Sequence, residues 1–179
     1  MPRYFTFLRA INVGGRNVTM EVLRSAFVAL SLERVETFIA SGNVIFVSKS
    51  SDPGGLERKI EAGLQKTLGY EVKTFLRDDA ELGAISRYRA FSETDALAAH
   101  AVYVGFLAQP LSLPGEAALA RLKTDIDDFH AHGREVYWKC LVRQTDSKVS
   151  NAVLERTLKI SATWRGVNTV QRMAAKYGL

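Results

Sequence analysis

The order of local patterns between residues 3 and 77 constrains this chain more than any other feature. RYFTFLR (3–9) is aromatic and β-prone, the signature of a buried strand. After the glycine loop NVGGRN, Thr19 is placed to cap a helix through its hydroxyl, and Leu23, Phe27 and Leu30 recur at helical spacing. RVETFIA and NVIFVS are two β-rich runs separated by Ser41 and Gly42. Glycine tolerates the positive φ of a tight hairpin turn, so these runs predict a hairpin. Leu56, Ile60, Leu64 and Leu68 then repeat every fourth residue, with Gly69 as the helix stop, and YEVKTFLR supplies another strand.

The sequence therefore reads strand, helix, strand, strand, helix, strand. That is the split βαβ of a ferredoxin-like plait, an α+β class in which helices cover one face of an antiparallel sheet. The rest of the chain repeats the theme. AVYVGFLA predicts a strand, residues 116–123 a short helix, and DDFHAH with EVYWKCLV a hairpin across His132 and Gly133. Residues 147–159 and 168–177 predict two more helices, and no clear eighth strand stands between them. The expectation is a first half at residues 1–77, a helical linker at 78–97, and a second, modified plait half at 98–179 that carries the C-terminal helix.

At 179 residues with 47% hydrophobic side chains, two small cores can be filled. Cys140 is the single cysteine, so no intrachain disulfide can form, and its apolar setting marks a buried structural thiol. MPRYFTFLRA contains no apolar stretch long enough for a signal peptide or a membrane span, so a cytoplasmic protein without a membrane partner is expected. Residues 1–132 hold 15 basic and 16 acidic side chains, whereas residues 133–179 hold 9 basic and 3 acidic ones. Such asymmetry fits an anionic partner, either nucleic acid or a phosphorylated small molecule, or else a solvated basic helix.

LRAINVGGRN, SGNVIF, VYW with DSK, and ATWRGVNTV follow one another along the chain. Together they resemble the signatures of the domain-of-unknown-function family numbered 1697. The resemblance implies a duplicated, intertwined α/β plait and no established reaction. Arg9, Asn12, Gly14, Gly15, Asn17, Ser41, Gly42, Asn43, Ser147, Lys148, Arg165, Asn168 and Thr169 match its pattern. Ala10 stands where that family has a glycine. In the last motif Trp164, Gly166 and Val167 depart from the family's threonine–arginine–asparagine–tryptophan run.

The candidate ligand-binding residues are Arg9, Asn12, Gly14, Gly15, Asn17, Ser41, Asn43, Lys148, Arg165, Asn168 and Thr169. Paired glycines expose successive N–H groups that can cradle an anion, with Arg9, Arg16 and Asn17 as further donors. Equally, Gly14 and Gly15 can do no more than turn the chain. Neither G-x-x-x-x-G-K-[ST] nor G-x-G-x-x-G is present. In a plait the first and third strands are antiparallel neighbours, so Asn43 is expected near Asn12 and Gly14. Ser147 and either Asn168 or Thr169 also suit helix caps.

Asp128, His130 and His132 share one face of their strand, a spacing suited to a metal or, more simply, to a solvated edge; no metal is assigned. No acid–base pair or nucleophilic triad is recognisable, and no cofactor is expected. Three readings follow: a binding module for an anion (a nucleotide, a phosphorylated metabolite or a nucleic-acid backbone), a small-molecule enzyme using the same cleft, or a structural protein whose motifs serve folding.

Overall fold

The computed structural model describes every residue of the chain except Ser41. Compactness divides it into two units, Met1–Ile85 with Met173–Leu179, and Ser86–Arg172.

In the first unit the strands are β1 (Arg3–Leu8), β2 (Glu33–Thr37), β3 (Asn43–Val47) and β4 (Thr74–Asp78), and the helices are α1 (Met20–Ala29) and α2 (Pro53–Leu68). The sheet order is β2-β3-β1-β4, antiparallel throughout. Thr19 caps α1 by accepting from the Val22 N–H at 3.2 Å. Asp52 caps α2 by accepting from Gly55 N–H at 3.0 Å, with Pro53 in the first turn, where a missing N–H costs nothing. Leu23 and Phe27 of α1 and Leu56, Ile60 and Leu64 of α2 pack on Tyr4, Leu8, Val44, Phe46 and Leu76 of the sheet.

The opposite sheet face is buried as well, at Phe5, Phe7, Ile45 and Phe75. There the Phe5 ring meets the edge of Tyr177 at 5.3 Å, and Lys176 and Tyr177 both donate to the Glu36 carboxylate, at 2.8 and 2.9 Å. α3 (Asp79–Arg87) follows β4 directly, and Asp79 pairs with Arg3 at 2.7 Å.

The second unit repeats the plan. After α4 (Glu93–Ala98) come β5 (Ala101–Phe106), α5 (Leu113–Ala120), β6 (Asp127–His132), β7 (Glu135–Cys140), α6 (Asn151–Leu158), β8 (Thr163–Gly166) and α7 (Val167–Lys176). Its sheet order is β6-β7-β5-β8. The expectation of an incomplete second half is corrected: β8 pairs with β5 from Phe106↔Thr163 to Tyr103↔Gly166 and completes the plait. Only four residues form it, which is too short for alternation to register in the sequence.

Two further boundaries differ from expectation. The helix predicted at 147–159 begins only at Asn151, and its cap is Ser150, which accepts from Val153 N–H at 3.2 Å. The helix predicted at 116–123 runs from Leu113, capped by Ser112.

The core of the second unit turns on a close approach. Gly105 lies directly across from Trp164, and a Cβ on Gly105 would stand 2.7 Å from the indole. The vacancy lets Trp164 lie over the strand and meet Trp138 edge-on at 5.9 Å. Phe129, Val136 and Leu154 complete that cluster. Gly105→Ala must therefore push the indole aside, and we expect a loss of about 1–3 kcal/mol in chemical denaturation.

Candidate functional site

The loop after β1 and the loop between β2 and β3 meet at one end of the first sheet. The cause is the register Phe7↔Asn43, which sets the end of β1 against the start of β3. Leu8 N–H donates to Gly42 C=O at 2.9 Å, continuing the ladder into the turn. Asn12 then ties the two loops together. Its Nδ2 donates to the Ala40 carbonyl at 3.4 Å, and its Oδ1 accepts from Val18 N–H at 2.8 Å. Ile11 is buried against Gly42, where a Cβ would come within 2.8 Å of its side chain.

The expected partner of Asn12 is Asn43, and the contact it makes in that loop is with Ala40, brought within reach by the strand pairing. The hairpin itself is longer than the two-residue turn read from Ser41 and Gly42. Thr37↔Val44 is the last strand pair before it, Phe38 N–H still donates to Asn43 C=O at 3.0 Å, and β2 ends four residues before Ser41. Asn43 is 1% exposed and closes that loop by donating from Nδ2 to Phe38 C=O at 3.0 Å. Ser41 lies outside the described residues.

The Gly14–Gly15 pair forms a reverse turn with φ of 62° and 80°, closed by Arg16 N–H to Val13 C=O at 3.2 Å. Two successive positive φ values with an i to i+3 bond define a type I′ turn, which side chains with a Cβ resist. The turn is exposed, and α1 starts only at Met20, so the glycines do not abut a helix N-terminus. Among the described residues, the N–H groups of Gly14, Gly15 and Asn17 have no hydrogen-bond partner. The Arg16 guanidinium rests on the Tyr70 ring at 3.9 Å, and Tyr70 in turn donates to Ile11 C=O at 3.3 Å. Arg9 is half-buried, with its N–H on the Lys73 carbonyl at 2.9 Å.

The remaining candidates belong to the second unit. Arg165 is buried on β8, donating to Thr163 Oγ1 and to the Trp164 carbonyl, both at 2.9 Å. Burial lowers its pKa to about 10, still far above neutrality, so it carries its charge. Asn168 and Thr169 lie inside the first turn of α7 and not ahead of it, so neither is the capping residue expected from the sequence. Lys148 is exposed.

Ser147 does not cap a helix: it donates to Asp127 at 2.8 Å and accepts from Val149 N–H at 2.9 Å. Asp127, which sequence reasoning passed over, is buried and also accepts from Trp138 Nε1 at 2.8 Å and Thr124 Oγ1 at 2.9 Å. Burial raises the pKa of the Cys140 thiol, in keeping with a structural residue.

Asp128, His130 and His132 are drawn into other contacts. Asp128 lies 3.4 Å from Lys123, and Tyr88 stacks on His132 at 4.0 Å and meets His130 Nε2 at 2.6 Å. No group of three metal-binding side chains occurs among the described residues. Nor does any described helix have the length and apolarity to cross a membrane.

A family model described as "Protein of unknown function (DUF1697)" matches residues 1–137. The chain belongs to the DUF1697 family. A solved structure, that of the conserved bacterial protein SP0830 from Streptococcus pneumoniae, is similar with a TM-score of 0.73 and 24% identity, covering 97% of each chain. At that identity the likeness concerns the fold. No curated relative matches the sequence.

Ala10 adopts φ 54°, the left-handed region that favours glycine. Ala10→Gly should therefore stabilise the fold by about 0.5–1 kcal/mol, read as a raised denaturation midpoint. Conversely, Asp127→Ala leaves the Trp138, Thr124 and Ser147 donors without their acceptor. It should cost roughly 3 kcal/mol or more in the same measurement.

Proposed function

We propose that this DUF1697 protein is a binding module whose first unit takes an anionic ligand on the loops at residues 9–17 and 38–43. The observation that carries this reading is a difference between two copies of one topology. The second unit joins β6 to β7 with two residues and β5 to α5 with six. The first unit uses five and eleven residues at the same two connections. A plait closes without that extra chain, so the longer loops do not arise from the demands of the fold.

Among the described residues, those loops also hold two non-glycine residues in left-handed backbone, Ala10 and Ile39, whereas the matching loops of the second unit hold only Gly133 at positive φ. Strain of this kind costs of order 1–3 kcal/mol per residue and gathers at sites where geometry serves a ligand.

The chemistry available is that of anion capture. Gly14, Gly15 and Asn17 offer uncommitted N–H groups, and Arg16 brings a charge whose position is restrained by Tyr70. The competing reading is that these motifs serve folding alone, and it is favoured at Asn12 and Asn43, whose amides are committed to backbone groups. The two readings part at the Arg16 side chain, which bonds no backbone group.

Isothermal titration of the full chain with sodium tripolyphosphate at low salt should show saturable binding. Arg16→Ala should weaken it about tenfold or more, as loss of one charge-assisted contact implies, with only the small drop in melting temperature that losing one exposed cation–π contact brings. Absence of binding, or equal affinity in the variant, overturns the proposal.

A further inference from the structure

The same loops carry apolar side chains that neither the fold nor a bare anion explains. Val13, the first residue of the glycine turn, is 53% exposed. Ile39 is 39% exposed, and at φ 48° it is a β-branched residue in backbone that strongly disfavours one. Folding would favour glycine or asparagine at Ile39 on both counts. The two residues belong to segments that are stitched together, because Asn12 next to Val13 donates to the carbonyl of Ala40 next to Ile39.

Arg16 closes the turn that Val13 opens. One face of its planar guanidinium is covered by Tyr70 at 3.9 Å, and its rim is engaged by no carboxylate among the described residues. Guanidinium groups stack on flat rings with their faces and bind phosphate with their edges.

From these observations we infer that the ligand is a nucleoside phosphate, its phosphate on the Gly14–Arg16 turn and its base against Val13, Ile39 and Arg16. The inference rests on the anion-binding reading and sharpens it. An inorganic phosphate would use the turn and Arg16 but leave Val13 and Ile39 in water. An uncharged aromatic would use the apolar pair but leave the free N–H groups of Gly14 and Gly15 unmatched. A flat base joined to a phosphate engages both sets, and the contact requires no group transfer or redox step.

The test compares three probes on the full-length protein by calorimetry: ATP, sodium tripolyphosphate and adenosine. ATP is expected to bind at least tenfold more tightly than either of the others. Val13→Ser and Ile39→Asn should each reduce the ATP preference severalfold while leaving tripolyphosphate affinity unchanged. Asparagine tolerates left-handed backbone, so Ile39→Asn also keeps the loop foldable, and a melting temperature no lower than that of the parent protein verifies this. Equal affinity for ATP and tripolyphosphate overturns this inference and leaves the anion reading standing. Binding of adenosine as tight as that of ATP, or of no probe at all, overturns both.

Discussion

The antiparallel pairing of β1 with β3 is the constraint from which the rest of the first unit follows. Phe7 opposite Asn43 fixes which residues face the helices, since a slip of one position would turn Tyr4, Leu8, Val44 and Phe46 out of the core. The ladder extends past the strands through Leu8 N–H to Gly42 C=O, and the second unit repeats that bond between Leu107 and Arg134. Two loops far apart in sequence are thereby forced together. Whatever chemistry they carry is brought together by backbone hydrogen bonds and fastened by the Asn12 amide.

Within that frame, burial sorts the polar residues by role. A buried amide or carboxylate must be satisfied, so Asn43 closes its own hairpin and Asp127 gathers three donors. Ser147 is bound into the Asp127 cluster, and Asn12 holds two loops in register. Arg16, Asn17 and Lys148 lie outside such networks and are exposed. The division explains why motifs of similar polarity can differ in purpose: solvent satisfies the exposed groups at no cost, and they remain available to a ligand.

Much of the architecture was legible in the sequence because it rests on short-range physics. Helical spacing from Leu56 to Leu64, capping at Thr19 and the β-prone aromatic run RYFTFLR are each set by residues close together in the chain. Even the approach of Asn12 to the β2–β3 loop could be deduced, since the plait dictates which strands are neighbours. The eighth strand was not legible. Thr163–Gly166 is too short to show a period, and it becomes a strand because β5 offers it a ladder. Nor was the length of the first hairpin loop, since FIA carries β-prone side chains but lies past the end of β2, with only Phe38 still bonded across to Asn43.

By itself the sequence determined the class, the duplication and the family, because hydrophobic period, caps and ordered motifs are written residue by residue along the chain. Only the tertiary structure decided that Asp127 collects Trp138 and Ser147, that Gly105 makes room for Trp164, and that Arg16 lies on Tyr70. It alone placed Ala10 and Ile39 in left-handed backbone. The physical reason is distance along the chain. These contacts join residues that no local pattern links, and their geometry exists only once the strands are paired and the cores closed.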